Sequence, residues 1–151
     1  MKRVVITGMG INSCIGNTLE DVTHSLQNGI SGTRFNPIYA EMNFKSHISA
    51  AAEQNFDGID RRLKRFMGVC AMYAYNAALA AVQHAGLTAE QIGGNPRYGI
   101  AGGSGGGSTA SVMEMKELLD TKGARKVGPF FVPRNMSNTI TANVGVAFKI
   151  Q

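Results

Sequence analysis

The sequence predicts an α/β fold with too few strands for a finished sheet, and three stretches carry that reading. The first runs from Arg97 to Ser108. Its apolar start, Tyr98 to Ala101, reads as a short buried strand; it dissolves into Gly102-Gly103-Ser104-Gly105-Gly106-Gly107, and a helix opens near Thr109. Glycine admits close backbone approach and positive φ, and a strand that runs through such a turn into a helix is a site-forming device in α/β proteins. A flexible Gly/Ser linker is the plain alternative, but the periodic apolar segments on either side favour an ordered turn. The second stretch is Val4-Val5-Ile6, a β-branched run ending at Gly8-Met9-Gly10, which predicts a buried first strand. The third is a long helix from Ile59-Asp60 to Gly86. Its apolar stripe turns almost entirely to alanine in the second half, as expected of a central, buried helix packed closely by its neighbours.

The remaining elements follow in order. Asn17, with Glu20 three residues on, reads as the N-cap of a helix carrying Leu19, Val22 and Leu26, stopped by Gly29. Ser31 to Tyr39 reads as loop, and Ser46 to Ala52 as a short strand with weak alternation. Thr88 to Gln91 is a polar turn. Val112, Met115, Leu118 and Leu119 mark a helix ending at Lys122-Gly123, and Gly128 to Pro133 is a stiff loop because each proline restricts its predecessor. Met136, Ile140, Val144 and Phe148 step along one face of a last helix. With two or three strands in all, the sheet is incomplete.

Composition narrows the function classes. One domain is expected of 151 residues, and 44% hydrophobic residues supply a core. The charged fraction of 17% is low, below the ~25% of an average chain. A surface this poor in charge predicts burial in an interface, in an oligomer or a larger protein. The net charge of +5 suits an acidic or phosphate-bearing partner. Nucleic acid is not expected, since aromatic residues do not interleave with the basic ones. No membrane span is expected either, for no apolar run reaches the ~20 residues needed. Met1-Lys2-Arg3 before an apolar run resembles a leader, but Thr7-Gly8 breaks the run at once. Cys14 and Cys70 form no CxxC pair and, with three scattered histidines, no metal-ligand spacing. They read as buried structural thiols in a reducing, cytoplasmic compartment, with no cofactor.

Motif chemistry is sparse. Gly105 to Ala110 matches GxGxxA, yet a dinucleotide fingerprint needs a second strand and an acid about 20 residues on; here Asp120 falls within the helix. No lysine follows the glycines to make a phosphate loop. Cys14, ahead of a helix start, is the one candidate for a lowered thiol pKa. Ser104 and Ser108 have no evident base, and His84 reads as a helix-end residue near the dipole. No active site assembles from these residues alone.

Several segments together nevertheless resemble one family. Val4-Val5-Ile6-Thr7-Gly8-Met9-Gly10, Ile59-Asp60-Arg61-Arg62, Asn95-Pro96-Arg97, Ala101 to Ser108, Val127-Gly128-Pro129 and Phe148-Lys149-Ile150 stand in the order, and nearly the spacing, of the β-ketoacyl-acyl carrier protein synthases, most like the synthase I type. The resemblance covers essentially the whole chain. It implies a thiolase-like α/β fold of two duplicated halves, with residues 1–151 as an N-terminal portion of the first, and a homodimer. It implies condensation of an enzyme-bound acyl thioester with malonyl-acyl carrier protein, releasing carbon dioxide. The family's nucleophilic cysteine follows shortly after Phe-Lys-Ile and its catalytic histidines lie in the second half, so the expectation is a part carrying neither. By resemblance, Gly106 lines the acyl channel, while Val132 and Met136 reach the partner subunit's pocket. Arg61, Arg62, Arg65, Lys122 and Arg125 match positions that bind acyl carrier protein; Lys64 and Lys126 add to the two clusters. Cations crowded at a helix start sit against the dipole, which adds to the case for a docking role. A non-catalytic partner or binding module of the same fold is the competing expectation.

Overall fold

Alanine and glycine decide how this chain packs. In the computed structural model, which describes residues 3–150, the central element is α4 (Val69–His84), and its alanine stripe receives the N-terminal segment. A Cβ on Gly8 would overlap the Ala81 carbonyl oxygen and come within 2.8 Å of the Ala85 Cβ; one on Gly10 would overlap the Ala77 carbonyl. The two glycines therefore lie flat on the ladder Ala77, Ala81, Ala85. Two hydrogen bonds hold the segment there. Met9 N–H donates to His84 Nδ1 at 3.0 Å, and Asn12 Nδ2 donates to the Tyr73 carbonyl at 2.6 Å. His84 thus serves the N-terminal segment as an acceptor. Met1 and Lys2, part of the leader-like tripeptide, lie outside the described residues, as does Gln151.

Eight α-helices are described: α1 (Leu19–Gln27), α2 (Pro37–Glu41), α3 (Arg61–Lys64), α4, α5 (Ala89–Ile92), α6 (Thr109–Lys122), α7 (Phe131–Asn135) and α8 (Thr139–Phe148). Their ends follow local chemistry. Thr18, one residue after the expected cap, accepts from Asp21 N–H at 3.1 Å and starts α1. Asn36 caps α2 ahead of Pro37, whose fixed φ and missing N–H suit a first helical position. That is why a helix stands inside the expected loop. Thr88 and Gln91 form a capping box on α5. Beside them the carboxyl of Glu90 is held below its ordinary pKa by hydrogen bonds from its own backbone and from Thr88. Gly29 and Gly86, the expected helix stops, both have φ near +65°, where a side chain is strained. Pro133 falls in the first turn of α7, where proline is tolerated, so the expected loop from Gly128 to Pro133 becomes helical from Phe131.

Three expectations need correction. The long helix is two: α3 ends at Lys64 and α4 begins after Gly68. Phe66 and Met67 turn the chain by hydrogen bonds to Leu63 and Lys64, and Met67 is driven into the core. α4 itself is half-buried along most of its length, with Ala71 fully enclosed. The sheet also differs. Its two strands are β1 (Arg34–Phe35) and β2 (Ile48–Ser49), antiparallel with Arg34 opposite Ser49; β2 lies within the expected strand at Ser46 to Ala52. Val4 to Ile6 and Tyr98 to Ala101 form no strand among the described residues, and Val4 is 94% exposed. A buried strand needs neighbours to pair its backbone groups, and no neighbouring strand is paired with either run. Cys14 and Cys70 are free and half-buried rather than buried.

The core has two clusters joined across α4. Ile59, Met67 and Ala71 pack with Phe56, Leu63, Met72 and Tyr75. Ile92, Val144 and Phe148 pack with Tyr75, Ala78, Leu79 and Val82, which seats α8 on α4. Within α8, Asn143 Nδ2 donates to the Thr139 carbonyl at 2.8 Å, so its buried amide is hydrogen-bonded.

Candidate functional site

Three segments converge where the Gly-rich turn enters α6. Ser108 caps that helix, accepting from Ser111 N–H at 3.2 Å, and both serines are buried. A Cβ on Gly107 would overlap the Asn135 carbonyl, and one on Gly68 would stand 2.7 Å from the Ser108 Cβ and 2.9 Å from the Arg134 carbonyl. The end of α7 therefore meets both the turn and the start of α4 backbone to backbone, and the Ser108 side chain closes the turn onto Gly68. The turn is internally braced by Ser104, whose hydroxyl donates to the Gly106 carbonyl.

The three substrate-binding candidates, Gly106, Val132 and Met136, lie around this junction. Gly106 is exposed, and a Cβ placed on it would meet no heavy atom within 4 Å. Val132, on α7, is 64% exposed, and Met136 is half-buried as that helix's C-cap. The contact of Gly107 with Asn135 ties together the two segments that carry them.

The cationic candidates form two exposed groups. Arg61, Arg62 and Arg65 belong to α3 and its C-cap, whereas Lys122 ends α6 and Arg125 lies in the 3-10 turn Ala124–Lys126. Because α3 is a separate single turn, its cations do not oppose the dipole of a long helix. The Asp60 carboxylate caps α3, accepting from Arg62 N–H at 2.8 Å and Leu63 N–H at 3.3 Å. The dipole argument for a docking role therefore falls away, and exposure and shared sign remain. Lys64 is turned inward, donating to the Phe56 carbonyl at 3.4 Å.

Phe130, which sequence reasoning missed, touches the first cationic group. The Arg65 guanidinium lies over its ring, 4.2 Å from the centroid. Phe66 meets the same ring edge-on at 5.1 Å. Arg134 Nε donates to the Arg65 carbonyl at 3.0 Å, and Arg134 pairs with Glu114 at 3.4 Å. Arg65 and Phe66 lie 64 to 69 residues before Phe130 and Arg134, so no local pattern announces these contacts.

Among the described residues, none of the nucleophile candidates is hydrogen-bonded to a histidine, carboxylate or lysine. Cys14 lies inside the turn closed by the Ser13–Gly16 bridge, four residues ahead of the α1 cap at Thr18. Ser108 is spent on its cap and Ser104 on its turn. His84 serves Met9, and His24 lies against Asn28. Nor does the GxGxxA match follow a strand, which removes its dinucleotide reading. No helix among the described residues is long and apolar enough to cross a membrane.

The family model for the β-ketoacyl synthase N-terminal domain matches residues 1–151. The chain belongs to the β-ketoacyl synthase family. It is 38% identical over its whole length to 3-oxoacyl-[acyl-carrier-protein] synthase 1 of Haemophilus influenzae. It is also 38% identical, over 99% of its length, to the protein of the same name in Escherichia coli K12. It spans 37% of the length of each. Among solved structures, a β-ketoacyl synthase from Burkholderia phymatum superposes with a TM-score of 0.83 at 28% identity, over 99% of this chain and 38% of that one. A type II polyketide ketosynthase complex, at 18% identity and a TM-score of 0.74 over 98% of this chain and 39% of that one, shares the fold. The helix-rich arrangement with its small sheet is thus the N-terminal domain of a ketosynthase fold.

Proposed function

We propose that the full-length protein condenses an enzyme-bound acyl thioester with a malonyl group carried on acyl carrier protein, releasing carbon dioxide, as a step of fatty acid synthesis. The observation that carries this reading is the 38% identity, over the entire chain, to relatives named as 3-oxoacyl-[acyl-carrier-protein] synthases. In this reading the nucleophilic cysteine and the catalytic histidines lie outside the matched residues. This domain supplies recognition. Arg61, Arg62, Arg65, Lys122 and Arg125 attract an acidic carrier protein and orient its thioester arm. Gly106 leaves room for the acyl chain, while Val132 and Met136 reach the pocket of a second subunit in a homodimer. Free thiols at Cys14 and Cys70 suit a cytoplasmic setting, and the duplicated thiolase-like halves would bring partner strands to Val4–Ile6 and Tyr98–Ala101.

The chemistry needs an activated thiolate to accept the acyl group and later to leave. Among the described residues, no cysteine or serine side chain is hydrogen-bonded to a histidine, carboxylate or lysine. A steady-state assay with acyl- and malonyl-carrier protein should therefore give β-ketoacyl product with the full-length protein and a blank with residues 1–151 alone. Robust condensation by the 151-residue chain, or none by the full-length protein, would overturn the reading.

A further inference from the structure

We propose that Phe130 is a positioning residue for carrier docking, holding the Arg65 guanidinium in place so that its edge N–H groups are presented to an acidic partner. The proposal rests on the docking reading above and adds a residue to it.

Arg65 differs from the other docking candidates. Among the described residues, the side chains of Arg61, Arg62, Lys122 and Arg125 make no hydrogen bond or ion pair, whereas Arg65 is fixed at both ends. Its carbonyl accepts from Arg134 Nε at 3.0 Å, and its guanidinium lies 4.2 Å over the Phe130 ring. That ring is itself braced by Phe66 at 5.1 Å. Phe130 follows the 3-10 turn Ala124–Lys126 by four residues, so the stack ties the segment carrying Arg125 to α3. A guanidinium seated on an aromatic face keeps its N–H groups free around its edge, in a planar fork suited to carboxylate and phosphate oxygens. Arginine is rich in rotamers, and ordering it before the partner arrives removes part of the entropic cost of binding. Arg65 remains exposed, so the ring orients it without hiding it.

The test uses the full-length enzyme and measures KM and kcat for malonyl-carrier protein, alongside turnover of a carrier-free thioester mimic. Phe130→Leu should raise the carrier KM about two- to fivefold, the size of an exposed cation–π contact, with kcat and carrier-free turnover unchanged. Phe130→Tyr, which keeps the face, should stay near the unmodified enzyme. Phe130→Leu leaves every charge in place, so the slope of log KM against log salt should not change, whereas Arg65→Ala should flatten it. In the Arg65→Ala background Phe130→Leu should have no further effect. If Phe130→Leu folds poorly, Arg65→Lys gives the same information on an exposed side chain, since it keeps the charge and loses the planar fork; its carrier KM should rise. An unchanged KM in Phe130→Leu or Arg65→Lys, or an undiminished Phe130→Leu effect without Arg65, would overturn the proposal. The charge reversal Arg62→Glu with Lys122→Glu separates the two failures. If it leaves the carrier KM unchanged, docking itself is wrong; if it raises KM while Phe130→Leu does not, only the Phe130 role is.

Discussion

Gly106 and Gly107 stand side by side in the turn and do different work. Gly107 lies on the Asn135 backbone, where a methyl group has no room, whereas Gly106 faces open space. Gly106→Met in the full-length protein should therefore fold, and on the proposed role of Gly106 it would fill space left for the acyl chain. Turnover of long-chain acyl donors should fall while short-chain turnover is retained, measured as kcat/KM across a chain-length series. Equal loss at all lengths would show that Gly106 serves the turn instead. The sequence marks this stretch as special but does not tell the two positions apart. The difference lies in Asn135, nearly thirty residues downstream, whose backbone arrives only with the tertiary fold.

At the scale of elements, the helices were the legible part. Propensity and caps place α1, α6 and α8 within a few residues, because those signals are local. The alanine stripe of α4 also announces close packing, and the N-terminal segment supplies it. Gly10→Ala would push a methyl group into the Ala77 carbonyl, an overpacking of the kind that costs about 1–3 kcal/mol. In the full-length protein this should appear as a lowered denaturant midpoint with an unchanged slope. A neutral result would mean that the N-terminal segment does not rest on α4. The break at Gly68 was not legible, since periodic apolar residues continue through it. It comes from burial of Met67 and from the Ser108 side chain and Arg134 carbonyl standing close against Gly68, contacts remote in sequence. The strands at Val4–Ile6 and Tyr98–Ala101 carried a β-branched or apolar signal, but a strand is a property of a pair, and the pairing partner is not written in either run.

Across the whole molecule, charge and recognition converge. The composition left a net charge of +5 unexplained, and the fold displays much of it on α3 and on the end of α6 with the turn beyond, joined through Phe66, Phe130 and Arg65. Rim cations of this kind chiefly raise association rate and set orientation, and salt screens them over about 10 Å at 0.1 M. The measurement that tests this domain's role most directly is steady-state kinetics of the full-length enzyme carrying Arg62→Glu and Lys122→Glu. The apparent KM for carrier-bound substrate should rise and lose much of its salt dependence, while turnover of a carrier-free thioester mimic stays almost unchanged. Equal effects on both substrates, or an unmodified carrier KM indifferent to salt, would contradict it and leave the two clusters as ordinary solvated surface.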